Sequence, residues 1–330
     1  MISYRNLSMA DAKAMNDLFN NEIASKGFFA SIGLEEFKTR YLSDPDFNFD
    51  GVFGTFDNSE LVGYAVGLIR AQNAANPNAP GYLNVFVVKE QYQKKGIGSK
   101  LIEMVEAYIK NQGRPSIQAS FYLPLCYRWF IPGFPGHDHP CAPGIRVNSP
   151  EYFFLLHRGY AAIGFEDAFH LPLASYEYSP SIIDIKKRNE LDGLSIHFYR
   201  EGIDHGLEEF YQDIQAIDFE KCIRANLLLD KPNPFLVITN KDNEVKGWTG
   251  ALWNEESGRG HFDGIIISES VRGRGLGKAL FSSLAYESKK NGAQFMTFYT
   301  GLNNHARYIY MGAGFKIVQT YALMRKTFKK

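Results

Sequence analysis

The sequence predicts an α/β chain built as two tandem domains, and three observations carry that reading. A strand-like run, Phe262 to Ile267, passes through the turn Arg272-Gly273-Arg274-Gly275-Leu276-Gly277 into an amphipathic stretch, Lys278 to Lys290. The same arrangement occurs earlier. Val85 to Val88 leads through Gln93-Lys94-Lys95-Gly96-Ile97-Gly98 into a helical stretch from Lys100 to Gln112. One such turn is weak evidence, but two in the same setting imply duplication. The third observation is the length, 330 residues, which gives each half enough chain for its own core.

The elements follow in order. Domain one is expected over 1–177. It opens with a strand, Ile2 to Asn6, then helices over Met9 to Phe19 and Leu34 to Tyr41. A strand from Gly51 to Phe56, an Asp57-Asn58 turn and a strand from Leu61 to Ala71 come next. Gly63 and Gly67 in that last strand suggest a bulge or a close backbone approach. Gly81 to Val88, the first Gly-rich turn and its helix follow. A linker is expected over 178–193, from Pro180 and a charged run. Domain two, 194–330, repeats the order. Its first strand is Leu194 to Tyr199, with helices between Gly202 and Leu229 and strands at Phe235 to Thr239 and Val245 to Leu252.

Consecutive N–H groups at a Gly-rich turn point outward, and the helix behind adds partial positive charge, so each turn suits a pyrophosphate. The Q/R-x-x-G-x-G/A turn after an apolar strand resembles the acyl-CoA loop of the GCN5-related N-acetyltransferase (GNAT) superfamily. That family's second signature, a helix ending in an aromatic before Gly-Phe, is matched from Asn303 to Phe315, with Tyr310, Gly314 and Phe315 in place. In the first half the match is looser, at Tyr152 to Tyr160. The architecture is similar to tandem members such as mycothiol synthase.

The resemblance implies a mixed, mostly antiparallel sheet flanked by helices in each domain. It also implies acetyl-CoA as co-substrate and transfer of acetyl to a primary amine by direct attack. Pantetheine would lie along Phe262 to Ile267, with a backbone N–H of Ile265, Ile266 or Ile267 polarising the thioester carbonyl. Arg272, Gly273, Arg274, Gly275, Leu276, Gly277 and Lys278 would hold the phosphates, and Asn303 joins the cofactor set. Tyr310, four residues before Gly314, would protonate the leaving thiolate, since a phenol is protonated at neutral pH. Asp263 is the only acid in the strand and the first choice of base; Glu255, Glu256 and Glu269 are alternatives. His261 and His305 read as surface or structural residues.

The two copies align with each other. Gln93 and Arg272 are 179 positions apart, whereas Gly159 and Gly314 are 155 apart. The difference of 24 residues marks an insertion in domain one, with 121–147 as its place. Five prolines bar helix and central strand there. Its aromatics, among them Tyr122, Tyr127, Trp129, Phe130 and Phe134, require packing. In the same alignment Asp263 falls on Asn84 and Tyr310 on Leu155. Domain one therefore lacks both proposed proton-transfer groups. It keeps a cofactor strand and turn: Val87, Val88, Gln93, Lys94, Lys95, Gly96, Ile97 and Gly98. It reads as a degenerate copy that binds CoA or serves as scaffold.

Lys+Arg and Asp+Glu both number 36, and zero net charge argues against a general nucleic-acid binder, which needs a basic face. The apolar runs are strand-sized, so no spanning helix is expected. Residues 1–19 lack the pattern of a signal peptide, and a cytoplasmic place follows. Cys126, Cys141 and Cys222 make no disulfide framework. The Cys126, His137, His139, Cys141 spacing matches no zinc pattern, so no metal is expected. Glu201 to Glu220 carries seven carboxylates without Lys or Arg, a rim that would attract a cationic amine. The partner is a small-molecule amine, and the chain a monomer or dimer. The rival readings are a non-catalytic acyl-CoA sensor and a transferase of longer acyl or aminoacyl groups.

Overall fold

In the computed structural model, residues 1–73, 75–119 and 125–329 are described. The start of the expected insertion, with Phe121 and Tyr122, lies outside them. The chain divides into two compact units, Met1–Asp167 with Gln319–Lys330, and Ala168–Val318. The last twelve residues thus belong to the first unit. No helix among the described residues is long and apolar enough to cross a membrane.

The first unit contains β1 (Ile2–Asn6), α1 (Ala12–Glu22), a short α2 (Leu34–Glu36) continued by one wider turn, β2 (Val52–Asp57), β3 (Glu60–Leu68), β4 (Gly81–Val88), α3 (Ile97–Asn111) and β5 (Ser116–Ala119). β1 to β4 form an antiparallel meander in sequence order. Between β3 and β4 the register shifts at Val66/Gly67, and the extra residue is Asn84 of β4, so this bulge lies on the strand opposite Gly67. A side chain at Gly67 would come 2.7 Å from Val105 of α3, which explains the small residue. Leu101, Val105 and Ile109 recur every four residues and bury α3 against the sheet. β5 runs parallel to β4 but pairs with it only at Gly81 and Tyr82. The end of the chain then pairs antiparallel with β5, Met324 opposite Ala119.

The insertion packs as a small hairpin, β6 (Trp129–Phe130) with β7 (Asp138–His139), followed by β8 (Ile145–Arg146) and α4 (Pro150–His157). Where no disulfide framework is expected, Cys126 and Cys141 form a disulfide across it. Their pairing depends on the hairpin's close approach, which sequence spacing does not reveal. Trp129 is fully buried, and its indole N–H donates to the Cys141 carbonyl at 3.0 Å. Among the described residues no group of His, Cys, Asp and Glu is arranged to hold a metal.

β9 (Ala161–Pro172) leads to the second unit. The stretch expected as a linker is instead a helix, α5 (Pro180–Leu191). Then come β10 (Ser195–Phe198), α6 (Leu207–Ile214), α7 (Ile217–Leu227), β11 (Leu236–Thr239), β12 (Val245–Gly250), β13 (Gly264–Ile267), α8 (Leu276–Lys290), β14 (Phe295–Gly301), α9 (Arg307–Gly312) and β15 (Lys316–Thr327). β10 to β13 form a four-stranded antiparallel sheet with β13 at its edge. One core cluster joins that sheet to α8, through Leu280, Phe281 and Leu284. Another joins its other face to α6 and α7, through Phe210, Ile223 and Trp248.

Candidate active site

The second unit places the Gly-rich turn directly after the edge strand β13. Gly273 and Gly275 adopt left-handed backbone, with φ of 78° and 80°. Only glycine takes these values without cost. Among the described residues no protein acceptor takes the N–H groups from Gly273 to Lys278. Six donors are therefore left unclaimed at the start of a fifteen-residue helix, whose dipole favours an anion. A Cβ on Gly277 would come 3.1 Å from Ile309, which fixes how closely α9 approaches the turn.

Beside this turn two strands part. Gly260 donates to the Phe295 carbonyl at 2.8 Å, and Arg259 bridges Phe295 in parallel fashion. Beyond that point β13 and β14 belong to different sheets. An edge strand leaves alternate N–H groups without a ladder partner. The expected carbonyl-polarising run, Ile265 to Ile267, is therefore on the open edge.

Tyr310 lies in α9, buried among rings: Phe298 at 4.5 Å, Phe281 at 4.8 Å, Phe169 at 5.6 Å and Phe262 at 6.2 Å between centroids. Burial pushes its phenol up to about 12, so it keeps its proton at neutral pH. Asn303, named with the cofactor set, is exposed in the turn before α9.

Asp263 sits in a chain of charges that sequence reasoning misses. Its Oδ1 meets His261 Nε2 at 2.7 Å, and its Oδ2 accepts the Ala251 N–H at 3.0 Å. The other ring nitrogen of His261 faces Glu255 at 3.6 Å, and Arg259 pairs with Glu255, its Nε donating at 2.8 Å. Trp253 stacks on the imidazole at 4.2 Å. Burial alone would lower the His261 pKa, but Asp263 and Glu255 outweigh it and raise it. Burial likewise pushes the Glu255 carboxyl up, yet His261 and Arg259 hold it at about 2. Burial opposes ionisation of Asp263 as well, yet the His261 ring and the Ala251 N–H keep it low. Asp263 is thus a persistent carboxylate rather than a strong base. His261 and Asp263 are two apart in sequence, just before β13, and their side chains meet there. That spacing is the signal present in the sequence. Of the alternatives, Glu255 is committed to this chain, and Glu269 pairs with Arg272 at 2.8 Å.

The acidic rim is partly neutralised. Arg200 holds Asp204, and Arg224 holds Glu208 and Glu220. The two arginines stand just outside the acid-rich segment, one at each end.

The first unit repeats the turn, with Asn84 and Leu155 at the positions of Asp263 and Tyr310. Lys94 and Gly96 have φ of 58° and 81°, matching Gly273 and Gly275. Gln93 donates to the Val88 carbonyl at 2.9 Å, as Arg272 does to Ile267 at 3.5 Å. Asn84 instead accepts from Tyr127 at 3.3 Å and donates to Leu125 at 3.4 Å. Tyr127 is stacked on Tyr41 and Phe19, so the insertion fills the space over Asn84 with rings. Leu155, in the place of Tyr310, is fully buried.

Comparison with known proteins agrees with this geometry. Solved structures of similar fold include the glucosamine N-acetyltransferase region of a fungal multi-domain GH3 β-N-acetylglucosaminidase, at TM-score 0.68 and 15% identity. The match covers 99% of this chain and 38% of that longer one. A GCN5-related N-acetyltransferase from Sphaerobacter thermophilus matches at TM-score 0.63 and 17% identity, over 100% of this chain and 96% of that one. A tandem GNAT protein from the clavulanic acid pathway matches at TM-score 0.55 and 12% identity, over 99% and 98%. At such identities these likenesses speak for fold alone. No curated protein matches the chain. The acetyltransferase (GNAT) family profile matches twice, over residues 18–121 and 196–315, and the chain belongs to that family.

Proposed function

We propose that the second unit transfers acetyl from acetyl-CoA to a primary amine of a small molecule by direct attack. The observation that carries this is the row of N–H donors from Gly273 to Lys278, without acceptors among the described residues, beside an open strand edge and a buried phenol. The pyrophosphate is held by that row, with Arg274 and Lys278 beside it. Pantetheine follows β13, and an N–H of that strand polarises the thioester carbonyl. The acceptor arrives as an ammonium and loses one proton to solvent, and the N–C bond then forms from the neutral amine. The nitrogen then becomes cationic and far more acidic than a free ammonium. At that stage even a weakly basic carboxylate suffices, and Asp263 takes the proton. The C–S bond breaks as Tyr310 gives its proton to sulfur, leaving free CoA and an amide. Holding the two reactants together supplies much of the acceleration.

The first unit is proposed to bind an acyl-CoA-type anion without turnover. Its turn is retained, while Leu155 and Asn84 can neither donate to a thiolate nor act as a base. Glucosamine is the first acceptor to try, because one solved structure of similar fold is a glucosamine N-acetyltransferase region. The test is release of free thiol from acetyl-CoA against a panel of primary amines that includes aminohexoses. Saturable, amine-dependent release supports the reading. Acetyl-CoA that binds but is never consumed with any amine would favour a sensor.

A further inference from the structure

We propose that Asn189 and Arg188 of α5 are positioning residues for the phosphate turn of the second unit, an inference that rests on the acetyl-CoA reading above. The Arg274 carbonyl accepts two hydrogen bonds from this helix, from Arg188 Nη2 and from Asn189 Nδ2, each at 3.2 Å. Asn189 is 1% exposed, and its amide also donates to the Ile185 carbonyl at 2.8 Å, which fixes the side chain. Arg274 itself reaches back to Asp192 at 2.9 Å. Ile185 lies 3.0 Å from where a Cβ on Gly275 would be, so helix and turn are in close contact.

Peptide geometry gives these contacts a consequence for the ligand. The carbonyl of Arg274 and the N–H of Gly275 belong to one planar trans peptide and point in opposite directions. Pinning the carbonyl onto α5 aims the N–H away from α5, with the rest of the open donor row. A carbonyl that accepts two hydrogen bonds, one from a guanidinium, also polarises its own peptide and strengthens the opposite N–H as a donor. The other repeat is an internal control. Its matching peptide, Lys95 to Gly96, has no donor on its carbonyl among the described residues, and a Cβ on Gly96 would meet nothing within 4 Å. The segment between the repeats therefore distinguishes two turns of the same backbone shape. It makes the second the pre-set, tighter one for a pyrophosphate.

The test compares the full-length wild type with Asn189→Ala and Arg188→Met. Calorimetry gives acetyl-CoA affinity, and steady-state kinetics give KM and kcat. Loss of one such hydrogen bond is worth about 2- to 10-fold, so each variant should bind acetyl-CoA that much more weakly. KM for acetyl-CoA should rise in step, while kcat and the KM of the amine stay within about twofold. A purely structural role would lower the melting temperature without this split. Arg188 is exposed, so its variant keeps the question open to refutation should Asn189→Ala fold poorly. Wild-type binding with unchanged affinity in a folded variant would overturn the inference alone. A wild type that binds no acetyl-CoA would overturn the reading beneath it as well.

Discussion

Replacing Tyr310 by Phe keeps the ring and removes the proton. Tyr310→Phe should lower kcat by about 10²–10⁴-fold, with acetyl-CoA affinity and melting temperature nearly unchanged. Near-full kcat with chemistry rate-limiting would leave Tyr310 as a packing residue. His261 gives a pH prediction. Its pKa is raised in the fold, so its stabilising share is full below about 6.5, the ordinary histidine value, and is lost as pH rises through the folded value. Asp263 and Glu255 are depressed and stay ionised through that window, losing their share only in acid. Thermal melts of wild type and His261→Gln should therefore differ more at pH 6 than at pH 9. An equal gap at both would mean the imidazolium does not hold this chain together. Tyr310 and Asp263 are legible in the sequence because one falls in a helix signature and the other is the only acid in the run Phe262 to Ile267, although the strand itself begins one residue later, at Gly264. Their surroundings are not, since each depends on groups distant in the chain. Phe169 and Phe281 help bury Tyr310, and Ala251 and Glu255 complete the charge chain around Asp263.

The elements most clearly written in the sequence are those with strong periodicity. β1 and β4 occupy the predicted residues, and the helices after both Gly-rich turns end within a residue of expectation. The element that departs most from expectation is α5. A Pro and a charged run suggest a linker, yet Ser179-Pro180 is also a helix start, a capping residue followed by Pro at the first helical position. Ile182, Ile185 and Asn189, spaced three and four apart, form the face turned inward, and one of the three is polar. A helix with a buried Asn does not read as amphipathic by pattern alone. The insertion is a packed segment, as its aromatics require, but its cross-link is not visible in the cysteine spacing. The disulfide closes a separation of 15 residues, for which chain entropy predicts about 3 kcal/mol. Denaturant melts of a Cys126→Ser/Cys141→Ser variant should show a loss of that order in the first unit. A loss below about 0.5 kcal/mol would mean the hairpin is held by Trp129 and its neighbours without the bond.

At the scale of the whole molecule, duplication is readable from the repeated turn, and the asymmetry from aligning one half on the other. The membership of Gln319–Lys330 in the first unit is not readable, because strand pairing across most of a chain leaves no local signature. The proposal that one copy works while the other only keeps its turn is open to matched substitutions. Gly273 and Lys94 occupy the same left-handed position, a Cβ at Gly273 meets nothing within 4 Å, and Asp tolerates such backbone. Each change sets a carboxylate against any bound phosphate. The decisive measurement is amine-dependent thiol release from acetyl-CoA by Gly273→Asp and Lys94→Asp, both full length and folded. Gly273→Asp is expected to lose acetyl-CoA affinity about tenfold or more and turnover with it, while Lys94→Asp keeps most of the wild-type rate. Equal loss in both, or loss in Lys94→Asp alone, would contradict a single working site in the second unit.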